Sequence, residues 1–180
     1  MLRGHVTESS TEYPRAMPSA DALDELTGSL QRLGRLLASR QVSSRVTSAA
    51  KVDVSQQGVA LLRALLRGGK QSMASLAAAA SMDLGAVSRT VRQLEEGGAV
   101  RRSSDPDDGR VALLELTAKG RRMAENLRVV GVRHLDYALR NWSEADGRAL
   151  ATLLGRLVDD LVVTPVPDGS TKRVDQAQRS

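Results

Sequence analysis

The chain has 180 residues, a formal net charge of +5, 2% aromatic residues and no cysteine. Disulfides, thiolate metal sites and cysteine-based redox switches are thereby excluded. The length favours one domain. The lack of Phe leaves the core to Leu, Val, Ala and Met, which suits closely packed helices, and the basic balance points to a polyanionic partner.

Residues 1–19 are polar, carry Pro14 and Pro18, and read as a flexible arm. No stretch has the apolar length of a signal peptide or a membrane span, so a soluble, cytoplasmic protein with no membrane partner is expected. A first helix opens at Ser19 or Asp21 and is expected to run to about Arg45. Leu23, Leu26, Leu30, Leu33 and Leu37 form its apolar stripe. A second helix spans about 55–67, with Val59, Leu62, Leu65 and Leu66 buried and Gly68-Gly69 as its stop.

Ser72 caps a short third helix, MASLAAAA. Ser81 and Met82 make a tight connection, and Asp83 caps a fourth helix from Leu84 to about Glu96, ended by Gly97-Gly98. The runs AVRRSS and RVALLELT flank DPDDG, whose turn dipeptides predict a β-hairpin. Thr117 caps a long fifth helix to about Arg140. Ser143 and Asp146 have capping-box spacing at the start of a sixth, with the stripe Leu150, Leu153, Leu157 and Leu161. Residues 164–180 read as a tail.

The fourth helix carries the candidate chemistry. At 100° per residue, Leu84, Val87, Val91 and Leu94 share an inner face. Gly85, Ala86, Arg89 and Gln93 lie opposite, Arg92 on one flank, and Ser88 nearer the core edge. Small residues at the amino end permit close approach, Ser88 and Thr90 offer hydroxyls, and Arg89 suits a guanine edge or a phosphate. A short helix and a tight turn before it make a helix-turn-helix, whose second helix enters the major groove. The hairpin then reads as a wing: Arg101 and Arg102 stand at its base, and Arg110 follows the turn toward a minor groove. Asp108 is placed to orient Arg110 by a charge-assisted bond. Solvated surface arginines and a merely acidic turn are the plainer readings of the same residues.

Other candidates are weaker. His5 and His134 cannot form a metal site by themselves, and RGGK at 67–70 lacks the spacing of a phosphate loop. Trp142 reads as a packing anchor, and no nucleophile has a base at motif spacing. No metal, no cofactor and no enzymatic activity are expected.

The segment LAAAASMDLGAVSRTVRQLEEGGAVRRSSDPDDGRVALLELTAKGRRM resembles the core of the MarR family (multiple antibiotic resistance regulators). The matching features are Leu76-Ala77, Val87-Ser88-Arg89, Leu94-Glu95, Gly98, Val100, the DPDDGR wing and LTAKG. The resemblance implies a fold that is mainly α with a small β-hairpin wing: a winged helix-turn-helix at about 55–116 with dimerisation helices at about 20–45 and 117–163, all within one domain of 20–163. It implies a homodimeric repressor on a pseudo-palindromic operator in double-stranded DNA, released by a small-molecule effector whose identity the residues do not disclose. It gives the major groove to the helix beginning DLGAVSRTV and the minor groove to Asp108 and Arg110.

One departure is that Ser81 stands where the family often has glycine. A dimer also has a physical argument, because the stripes containing Leu23, Leu26, Leu30, Leu150, Leu153, Leu157 and Leu161 exceed what a small winged core can cover; folding back on the same chain is the alternative. The rival functions are a winged-helix protein-interaction module and a sequence-blind architectural DNA-binding protein.

Overall fold

The computed structural model describes residues 18–104 and 112–166. They form α1 (Ala20–Leu37), α2 (Arg40–Ala50), α3 (Gln56–Gly68), β1 (Gln71–Ser72), α4 (Met73–Ala80), α5 (Leu84–Glu96), β2 (Val100–Ser104), β3 (Ala112–Leu116), α6 (Ala118–Ala138) and α7 (Glu144–Val163). Two compact units meet in sequence between Val130 and Gly131, within α6. Mainly helical structure with a small antiparallel sheet is the expected class. No helix among the described residues is long and apolar enough to cross a membrane.

The expected first helix is two helices. The backbone leaves the helical region at Ser39, with ψ of 123°, and α2 starts at the next residue. Leu37 ends one apolar stripe, and the next apolar positions, Val42, Val46 and Ala50, begin another after a gap of five. The Gln56 side-chain amide donates to the Leu37 carbonyl at 3.4 Å, giving a late carbonyl of α1 a partner. No residue of α1 is buried, whereas Ala50 at the end of α2 joins the core.

That core lies under α3, α4 and α5 and the sheet. Leu61, Leu62, Leu76, Val87, Val91, Leu114 and Leu127 are its largest fully buried side chains. Burying each such side chain is worth about 1.5–3 kcal/mol. The three-stranded sheet has the order β1-β3-β2, all antiparallel. The sequence reading missed β1, two residues long, because Ser72 was spent on the cap of α4. It serves both purposes, pairing with Leu113 and accepting from the Ser75 amide at 3.2 Å.

The end of α5 is joined to the start of α6 by a compact knot. Gly98, at φ of +67°, lets the Ala99 amide close back on the Leu94 carbonyl at 2.8 Å. Thr117 accepts from the Gly120 amide at 3.0 Å and donates its hydroxyl to the Gly98 carbonyl at 2.7 Å. The Lys119 ammonium donates to the Gly97 carbonyl at 2.8 Å, satisfying the carboxyl end of α5. Gly120 packs on the backbone of Ala99 so closely that a Cβ would sit 1.9 Å from its carbonyl oxygen. The LTAKG segment is therefore a clasp in which Thr117, Lys119 and Gly120 each have a separate task.

In the second unit, Ser143 and Asp146 form the expected capping box of α7. No residue of α7 is buried within this chain. Trp142, read as a packing anchor, is instead 50% exposed, and the Arg140 guanidinium lies 4.7 Å from the centre of the Tyr137 ring.

Candidate nucleic-acid interface

The helix-turn-helix is built by three local devices. Ser81 takes a left-handed conformation, φ +51°, and turns the chain out of α4; the Met82 amide closes on the Ala77 carbonyl at 3.0 Å. This is the position where a glycine was expected from the family, and the positive φ is the reason. Asp83 then caps α5 through its Oδ1, which accepts from the Ala86 amide at 2.8 Å. Val87, Val91 and Leu94 pin α5 to the core.

The outer face of α5 holds Gly85, Arg89, Arg92 and Gln93, all exposed, with Ser88 half-buried at its edge. Gly85 has a steric role besides its smallness. Arg89 Nη1 lies 3.5 Å from where a Cβ on Gly85 would stand, so the guanidinium lies back over the first turn of the helix. That brings charge to the amino end of α5. Arg89 and Arg92 have no ion-pair partner among the described residues.

Two residues expected on this face are turned inward. Ala86 is 5% exposed and Thr90 is 2% exposed. The Thr90 hydroxyl donates back to the Ala86 carbonyl at 2.8 Å and lies 3.4 Å from Gln57 Oε1 on α3. Thr90 faces Gln57 on α3 and Ala86 is buried, so neither is available to a base edge. Leu84 is corrected in the opposite sense. It was read as part of the buried stripe, but at the first position of α5 it lies 56% exposed.

At the base of the wing, Arg101 and Arg102 are exposed but engaged within the chain. Arg101 pairs with its cross-strand neighbour Glu115 at 2.9 Å, and Glu115 also takes Lys70 at 3.3 Å. Glu95, on α5, accepts from Arg102 twice, at 2.9 and 3.3 Å. Reading them as DNA contacts therefore meets a competing intrachain use for each guanidinium. Neither pairing is evident from the sequence: Glu95 and Arg102 are seven residues apart across a helix end, and Glu115 meets Arg101 only once the register of β2 on β3 is fixed. Asp108 and Arg110 lie outside the described residues.

A groove of about 740 Å³ lies beside the first turns of α6. Val52, Ala118 and Met123 contribute its apolar lining, and Lys51, Arg121 and Arg122 are cations beside them. Glu125 also borders it; the Arg128 guanidinium hydrogen-bonds this carboxylate and holds its pKa below the ordinary value.

A sequence model of the MarR family matches residues 54–112. YdgJ of Bacillus subtilis (strain 168), an uncharacterized HTH-type transcriptional regulator, is 32% identical over 112 residues, covering 62% of this chain and 68% of its own. Among solved structures, a MarR family protein from Bacillus stearothermophilus matches with a TM-score of 0.70 at 19% identity, over 81% of this chain and 99% of that one. The PcaV transcriptional regulator from Streptomyces coelicolor, in complex with its natural ligand, matches at 0.55 with 23% identity, over 81% and 98%. At these identities the structural likeness speaks for the fold.

Proposed function

Because the chain belongs to the MarR family of transcription regulators, we propose that it acts in the cytoplasm as a homodimeric repressor of a pseudo-palindromic operator. As a family member it is a DNA-binding regulator and not an enzyme. The observation that carries the finer reading is the division of α5: Val87, Val91 and Leu94 are buried, while Gly85, Arg89, Arg92 and Gln93 face outward. In this reading α5 lies in the major groove, a site about 12 Å wide that admits one helix. Arg89 then makes the bidentate contact to guanine or clamps the phosphate beside it.

The dimer is supported by what the single chain leaves uncovered. Leu23, Leu26, Leu153 and Leu161 are between 43% and 62% exposed, and Leu30, Leu150 and Leu157 are half-buried. Apolar stripes of this length call for a partner surface. A second copy would supply it and set two recognition helices roughly 34 Å apart on one face of the duplex. A small-molecule effector is part of the same proposal. PcaV is known with its ligand bound, and the groove beside α6, with its cations and Met123, suits a small organic anion.

The test is fluorescence anisotropy with a duplex selected from a random library by the wild-type protein. Arg89→Ala is expected to weaken that complex by about 1–3 kcal/mol, with binding to unrelated DNA nearly unchanged where Arg89 reads guanine and weakened in parallel where it clamps a phosphate. If a folded Arg89→Ala protein binds the selected duplex as tightly as wild type, α5 does not read the groove through this residue. An α5 face serving a protein partner would carry aromatic or aliphatic anchors; Arg, Ser and Gln dominate instead.

A further inference from the structure

The residue that fits neither the core nor the polar outer face is Leu84. It is the first residue of α5, directly after the Asp83 cap, and is 56% exposed. Isolated surface leucines are common and need no explanation. This one stands at the amino end of the helix assigned to the groove, the end from which base edges are contacted. Its neighbours sharpen the point. Leu84, Ser88 and Arg92 are four apart and form one row along the helix, at the edge of the exposed arc that Gly85, Arg89 and Gln93 occupy.

Most groups on the major-groove edges of the bases are hydrogen-bond donors or acceptors, and only thymine adds a protruding apolar group. That group is the C5-methyl of thymine, which is read by apolar contact. An isobutyl group at the entering end of the helix, beside a glycine that adds no bulk, has no hydrogen bond to offer and one kind of base-edge partner to choose.

Resting on the DNA-reading role proposed above for α5, we propose that Leu84 is a specificity-determining residue that reads a thymine methyl in each operator half-site. It would work next to Arg89, which takes the polar edge of a neighbouring base pair. The pair divides the half-site into a methyl-bearing position and a guanidinium-read position. Leu84 contributes nothing to the monomer's core, so its replacement separates recognition from folding.

The experiment uses the full chain and the duplex selected by the wild-type protein. Each thymine is replaced in turn by deoxyuridine, which removes the methyl and keeps the Watson–Crick pairing. Wild type is expected to lose about fourfold in affinity at one thymine per half-site, the factor corresponding to the removal of one buried methylene-sized apolar contact. Leu84→Ala is expected to bind the all-thymine duplex more weakly by a similar factor, to melt at the wild-type temperature, and to show no further loss at that deoxyuridine. Should every deoxyuridine duplex bind wild type undiminished, or should Leu84→Ala lose as much as wild type at the sensitive position, Leu84 reads no methyl. A wild-type protein that enriches no sequence at all from the library overturns the operator reading itself, and this inference with it.

Discussion

Gly120 offers the strictest test of how α5 is held against the start of α6. Alanine is ordinarily the better helix former, by about 1 kcal/mol, and Gly120 occupies the third position of α6. Here the sign should reverse. The added Cβ would stand 1.9 Å from the Ala99 carbonyl oxygen and 2.8 Å from its carbonyl carbon, where real Cβ contacts stay above 3.0 Å. The obstacle is backbone, so no side chain can swing away. The start of α6 must retreat from the start of β2 by more than 1 Å.

That retreat stretches the contacts of the clasp: Thr117 amide to Ala99 carbonyl at 3.0 Å, Thr117 hydroxyl to Gly98 carbonyl at 2.7 Å, and Lys119 to Gly97 carbonyl at 2.8 Å. Overpacking costs about 1–3 kcal/mol, and two or three weakened hydrogen bonds cost about 1 kcal/mol each. Set against the propensity gain, the net loss is about 2–5 kcal/mol. With a denaturant slope of about 2 kcal/mol/M, the urea midpoint should fall by roughly 1–2.5 M. Gly147→Ala is the matched control, since nothing lies within 4 Å of its added Cβ; that variant should gain about 0.5–1 kcal/mol. A Gly120→Ala midpoint equal to wild type, or raised like that of Gly147→Ala, would refute the clasp.

Three further outcomes follow from the same coordinates. Thr90→Val should leave affinity for the selected duplex within twofold of wild type in an anisotropy titration, because the hydroxyl is buried and bonded to the Ala86 carbonyl; a large loss would return Thr90 to the interface. Ser81→Gly should raise stability by about 0.5–1 kcal/mol in thermal melts, since the relief of a left-handed residue, about 1–2 kcal/mol, exceeds the added freedom of the unfolded chain, about 0.4–1 kcal/mol. Leu153→Lys, at a side chain 62% exposed in the single chain, should leave helicity intact by circular dichroism yet shift sedimentation equilibrium toward monomer; an unchanged dimer would place the seam elsewhere.

Much of this was legible in the residues. Ser19, Ser72, Asp83 and Ser143 announced their helices because a cap is a local hydrogen bond, and each one forms. Val87, Val91 and Leu94 were readable because three apolar residues at helical spacing define a direction. What periodicity cannot decide is the fate of the flanks. Ala86 and Thr90 border the polar face on a helical wheel, yet both are buried, Thr90 facing Gln57 on α3. Leu84 lies within the apolar arc, but at the helix end the core has already stopped. The break at Ser39 was visible only as a phase shift between two stripes, and the tasks of Lys119 and Gly120 depend on backbone that is distant in sequence.

The basic charge divides unevenly between the wing base and α5. By sequence, α5 and the strand after it look like one continuous cationic surface. By structure, Glu95 and Glu115 engage Arg102 and Arg101, while Arg89 and Arg92 have no such carboxylate among the described residues. A phosphate approaching the wing base must therefore displace a carboxylate, whereas one approaching α5 need not. Each phosphate neutralised adds about 0.9 to the slope of log affinity against log salt, so the wing base should contribute less than its two arginines suggest. On the proposed reading, the +5 charge attracts DNA in general, while Arg89 and Arg92, without an ion-pair partner among the described residues, would decide where on the duplex the protein settles. That division favours a site-selective regulator over a sequence-blind one, because an architectural protein gains nothing by neutralising its own contact arginines.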